Sequence, residues 1–230
     1  MYITNTSYED LMTTISFINQ IGNNIDSKYR NYLRKHEDKM FDDNYKRVAI
    51  LDNFEMIRSA TFPFSNDEND IDKIDKLWIK KDCCKCKNVV HRHAMPTGNL
   101  KPKYLIVGEA PGVSDGEKKL ERVMGYGPTS ILLKMALINA GVIDYCWFTN
   151  IMKCAFCNNK CDDVSQYTQC ADSLFSEIEI LKPIKIIALG NKVQQFFAKY
   201  DKIKVTKIIH PSFCLYRGIS YEKYAKNFIF

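Results

Sequence analysis

Four short apolar runs decide what this chain can fold into. Residues 104–107 (Tyr-Leu-Ile-Val), 145–150, 184–189 and 204–209 each read as a strand. Helical text separates them: Ser130 to Ala140, closed by Gly141; a long helix within Asp163 to Leu181, ended by Pro183; and a helix that follows Gly190-Asn191 and runs through Lys199. Continuous apolar runs mark strands buried on both faces, and their alternation with helices marks a parallel sheet covered on both sides. The expected fold is therefore α/β: three αβα layers around a mainly parallel four-stranded sheet.

Residues 1–75 are a different text, rich in Asn, Asp, Lys and Tyr. Apolar residues at helical spacing (Tyr8, Leu11, Ile15, Ile18) precede Gly22, and further helical pieces are expected over 28–39 and 43–60. Pro63, Asn66 and Asp67-Glu68-Asn69-Asp70 then break the pattern as a linker. The division expected is a helical N-terminal extension over 1–75 and an α/β domain over 76–230.

No run of eighteen apolar residues exists, and the N-terminus lacks the basic start and apolar centre of a signal peptide. We therefore expect a cytoplasmic protein with no membrane partner. Its net charge of +6 is compatible with a polyanionic partner. Lysines crowd one cysteine-rich segment: Lys76, Lys80, Lys81, Lys85 and Lys87.

Nine cysteines are many for a reducing compartment, and an odd number resists full pairing. Metal or cluster ligation is the better reading. Cys83 and Cys86 with Cys154 and Cys157 form a CxxC…CxxC zinc pattern, although the gap is far longer than in a usual zinc ribbon. Cys83, Cys86, Cys154 and Cys170 are an alternative four-thiolate set, able to hold a [4Fe–4S] cluster. Spacing alone does not choose between them.

Three polar groups emerge from strand ends: Glu109 in Gly108-Glu109-Ala110-Pro111-Gly112, Asn150, and His210 in His210-Pro211-Ser212. In a parallel sheet these ends share one edge, the edge at which open α/β folds bind ligands. An acid, an amide and an imidazole meeting there make a candidate site.

These stretches resemble the iron–sulfur (family 4) uracil-DNA glycosylases. Gly108 to Gly112 is similar to their first motif, Thr149-Asn150-Ile151-Met152-Lys153-Cys154 to their Thr-Asn-x-x-Lys-Cys stretch, and His210-Pro211-Ser212 to their final His-Pro-Ser. The separation of Cys154 and Cys170 and the upstream CxxC agree as well. The likeness spans about residues 80–220. It implies a DNA N-glycosylase, acting as a monomer on DNA, with the [4Fe–4S] cluster favoured over zinc on Cys83, Cys86, Cys154 and Cys170. It further implies that Glu109 stabilises the sugar's charge and orients water, that His210 donates to the base oxygen, and that Asn150 reads a pyrimidine edge. Ala110 and Gly112 would line the pocket floor, and Ser212, Lys153 and Arg217 would meet phosphates.

Two departures matter. The family has an aromatic Phe, stacked on the flipped uracil, where this loop reads Met124-Gly125-Tyr126-Gly127-Pro128. Gly125 replaces it unless Tyr126 substitutes, which leaves room for a larger base. Arg217 also stands one residue later than the family's Arg. Two alternatives to uracil excision follow: a glycosylase for a modified base, such as a bulky modified cytosine of phage DNA in antiviral defence, or a non-catalytic DNA-binding module of the same fold.

Overall fold

The computed structural model describes residues 63–64, 77, 86, 89–91, 94, 96–112, 128–156 and 165–230. The helices expected over 8–18, 28–39 and 43–60 lie outside the described residues, as do Cys83, Cys157, Gly125 and Tyr126.

The apolar runs become strands because almost every side chain along them is buried. β4 (Tyr104–Gly108), β5 (Cys146–Asn150) and β7 (Lys185–Leu189) are central strands; β8 (Val205–Ile208) is an edge strand and only half-buried. These four are the expected strands, mutually parallel in the order β5-β4-β7-β8. Two short strands extend the sheet beyond β5. β3 (Thr97–Asn99) pairs antiparallel with β5, and β1 (Pro63–Phe64) pairs parallel with β3. Pro63 thus stands in a strand rather than a linker, at the sheet edge where proline's missing donor is tolerated. Gly98, at φ +113°, lets β3 approach; a Cβ there would lie 2.3 Å from the Cys146 carbonyl oxygen. A separate ribbon joins β2 (Val89–His91) to β6 (Ala155–Phe156).

Alternation along each strand splits the core into two layers. Ile106, Phe148, Ile187, Leu189 and Ile208 face α1 (Pro128–Asn139), α4 (Pro211–Arg217) and α5 (Tyr221–Ala225). Leu105, Val107, Trp147, Ile186 and Ala188 face α2 (Ser165–Leu181) and α3 (Asn191–Phe197). The three-layer αβα fold is as expected. α2 buries a stripe at helical spacing, Tyr167, Cys170, Leu174, Glu177 and Leu181. Each fully buried Leu or Phe contributes roughly 1.5–3 kcal/mol of transfer free energy. The last two helices were not expected. Pro211 opens α4, and Gly218, at φ +61°, closes it in the left-handed region.

Candidate active site

The parallel strands deliver their carboxyl ends to one edge. Asn150 ends β5, Glu109 follows β4, Gly190 follows β7, and His210 comes two residues after β8. Gly108 stands in register with Asn150. The ladder continues past both: the Ile151 N–H donates to the Gly108 carbonyl (3.0 Å) and the Met152 N–H to the Glu109 carbonyl (2.9 Å). The main chain of Glu109 is therefore fixed relative to that of Asn150.

The Glu109 carboxylate receives two donors on the same oxygen. The Tyr167 hydroxyl donates to Oε1 at 2.5 Å and Lys192 Nζ at 2.6 Å. Among the described residues nothing bonds Oε2. The Lys192 side chain is 55% exposed, so solvent screens that ion pair strongly. Tyr167, 6% exposed, is the firmer holder.

Asn150 is only 2% exposed. Its carbonyl accepts from Lys153 Nζ at 2.8 Å, while its side-chain amide has no partner among the described residues. Lys153 Nζ also donates to Thr149 Oγ1 (2.7 Å) and to Glu177 Oε1 (2.5 Å). An ammonium has three protons, and here all three are committed. Glu177 Oε2 accepts from Trp147 Nε1 at 3.3 Å, so both of its oxygens are engaged too. This buried network braces the Asn150 backbone from below.

His210 caps α4. Its Nδ1 accepts from the Ser212 N–H (3.2 Å) and lies 2.6 Å from Ser212 Oγ. A nitrogen that accepts from an amide carries no proton, so the neutral ring bears its proton on Nε2. Burial lowers the imidazole pKa below its ordinary value, and the Glu109 carboxylate pulls the other way. The carboxylate thus acts on the imidazole from the same sheet edge, although β7 separates their strands. Tyr224 donates to the Ile209 carbonyl (2.7 Å) and so pins the residue before the histidine. The sheet edge thus presents a carboxylate, an amide without a partner among the described residues, and a neutral imidazole donor.

The sequence profile of the uracil DNA glycosylase superfamily matches residues 95–228. The chain belongs to this superfamily. Membership makes it a DNA N-glycosylase. The type-4 uracil-DNA glycosylase of Archaeoglobus fulgidus is 30% identical over 153 residues, covering 57% of this chain and 76% of the relative. That of Pyrobaculum aerophilum is 37% identical over 124 residues, 53% of this chain and 61% of the relative. That of Thermotoga maritima is 30% identical over 131 residues, 56% and 67% respectively.

Within this superfamily fold the remaining expected residues fall in different places. Ala110, directly after Glu109, is half-buried, and Gly112, three residues after it, is exposed. Ser212 is half-buried against His210, while Arg217 is exposed, its guanidinium 5.4 Å from the Phe213 ring centroid. Lys153 is a correction. It is 2% exposed and pointed inward, because a buried Glu177 claims its charge, so it meets no phosphate. Tyr167 and Lys192 were missed. Each is an ordinary helical residue in the sequence, and only the assembled sheet brings them to Glu109.

Cys86, Cys154 and Cys170 are 5–7% exposed, outside any disulfide, and members of one core cluster with Leu77, Phe156 and Tyr167. Among the described residues no three His, Cys, Asp or Glu side chains converge on a point that would hold a single ion. A four-iron cluster spaces its thiolates more widely than one ion does. Three thiols in an apolar cluster are a donor set that fits soft iron–sulfur ligation.

Among the described residues no helix is long and apolar enough to cross a membrane.

Proposed function

We propose that this glycosylase removes uracil from DNA by hydrolysing its N-glycosidic bond, leaving an abasic site. The observation that carries the reading is the Asn150 side-chain amide, buried yet without a partner among the described residues, on the sheet edge it shares with Glu109 and His210. A buried amide left unsatisfied is costly unless a ligand completes it. One amide offers both a donor and an acceptor, which match the edge of a pyrimidine base.

The target nucleotide must leave the duplex before its sugar carbon can be attacked. As the bond to the base breaks, positive charge develops on the sugar and negative charge on the base oxygen. Glu109 stabilises the first and orients the attacking water through Oε2. The Nε2–H of neutral His210 donates to the second, a role that an uncharged imidazole fills well when its proton is kept on the outward nitrogen. Ala110 and Gly112 extend the floor beside Glu109. Ser212 and Arg217 contact phosphates, which fix register without reading sequence.

Cys83, Cys86, Cys154 and Cys170 hold a [4Fe–4S] cluster rather than zinc. Held by these thiolates, it would supply a structural tie between the segment before β2, the turn before β6 and helix α2. Hydrolysis is redox-neutral and asks no electron of it.

The test is alkaline strand nicking over a panel of base-substituted oligonucleotides. Uracil should be released, and Glu109→Gln or His210→Ala should abolish release while circular dichroism stays unchanged. Undiminished release in both variants would overturn the reading. Gly125, standing where the resemblance expects an aromatic, favours a second substrate class, and release of a bulky 5-substituted cytosine with uracil untouched would establish it instead. Salt-sensitive DNA binding with no abasic product would leave only a binding module.

A further inference from the structure

Helix α2 carries the Tyr167 hydroxyl and the Cys170 thiol one turn apart on the same buried face. The hydroxyl reaches 2.5 Å to Glu109 Oε1, across 58 residues of sequence. Its position is set by tertiary packing and not by any local motif. Lys192, the other donor, shares that oxygen and is largely in solvent. A carboxylate held at one oxygen by a buried phenol has little freedom to rotate, and its second oxygen is left to accept from a water.

We propose that Tyr167 is a positioning residue for Glu109: its hydroxyl holds Oε1 so that Oε2 is the oxygen presented to the attacking water. The assignment rests on Glu109 acting on the sugar as described under the proposed function. Tyr167 itself touches no substrate. Its ring packs in the same core cluster as Cys86, Cys154 and Cys170, so the elements that present those thiols also set where the hydroxyl stands. The orientation of the acid is therefore built from α2, and β4 supplies only its attachment point.

Tyr167→Phe removes the hydroxyl and keeps the ring. Single-turnover release of uracil should fall about tenfold to a hundredfold, the scale on which small misplacements act. The Kd for uracil-free DNA should stay unchanged. The visible absorbance of the metal centre should persist. If Glu109→Gln leaves release intact, the functional reading itself falls. If Glu109→Gln abolishes release while Tyr167→Phe matches the wild type in single-turnover rate, only the assignment of Tyr167 falls. Should Tyr167→Phe lose its absorbance, Tyr167→His decides, since it restores a ring with an N–H donor. Recovery of absorbance and of rate toward the wild type supports the proposal; recovery of absorbance alone, or of neither, overturns it.

Discussion

The Glu109 carboxylate acts electrostatically on the His210 imidazole across an intervening strand, drawing its pKa up while burial, the larger influence, draws it down. Removing the carboxylate should remove the upward pull. In Glu109→Gln the His210 ring should therefore titrate at lower pH than in the wild type. Imidazole resonances followed by NMR through a pH series would check this; an unchanged or raised midpoint contradicts the electrostatic influence.

The same shift fixes the direction of pH dependence. His210 has a folded pKa below the ordinary 6.5, so the unfolded chain binds its proton more readily. The stabilisation from neutral His210 is present in full above about pH 6.5 and is lost as pH falls through the depressed folded value. Protonation would also place a proton on Nδ1, facing the Ser212 N–H. Denaturation midpoints of wild type and His210→Ala, measured from pH 8 to 5, should converge toward the acid end. Curves that stay parallel would argue against it.

Asn150→Ala should lower base release by about a hundredfold, the upper range of discrimination by one bidentate contact of roughly 1–3 kcal/mol. Affinity for uracil-free DNA should be unaffected, because Lys153 braces the residue through its main-chain carbonyl, which the substitution keeps. Comparing single-turnover rates with DNA affinity separates loss of base reading from general weakening.

Lys153→Met should destabilise the fold by roughly 3–5 kcal/mol, since it leaves the Glu177 carboxylate buried without its counter-charge. Adding Glu177→Gln should recover much of that loss, because the neutral amide still accepts from Trp147. Denaturant titration of both variants is the measurement. Had Lys153 met phosphate, the single variant would keep its stability and lose DNA affinity at low salt.

The four parallel strands were legible as apolar runs, unbroken in the central β4, β5 and β7 because these are buried on both faces. The placement of Glu109, Asn150 and His210 at strand ends was legible because each closes such a run, two of them beside Gly or Pro. Thr97-Gly98-Asn99 carries no period of its own and became a strand only because β5 offered it a partner. Helix α4 had readable marks, Pro211 at its start and Gly218 at its end, which the His-Pro-Ser resemblance overshadowed. Lys153 misled because its motif gives the type of residue without the direction in which it points. Tyr167 and Lys192 were illegible in principle, as their contacts with Glu109 span 58 and 83 residues.

Gly190, at φ +84°, stands directly behind His210; a methyl group there would come 3.0 Å from the histidine Cβ. The ring is thus seated against bare backbone, with no slack for it to recline. One hydrogen atom in place of a side chain fixes where the imidazole rests, and any larger occupant at 190 would have to displace it by tenths of an ångström.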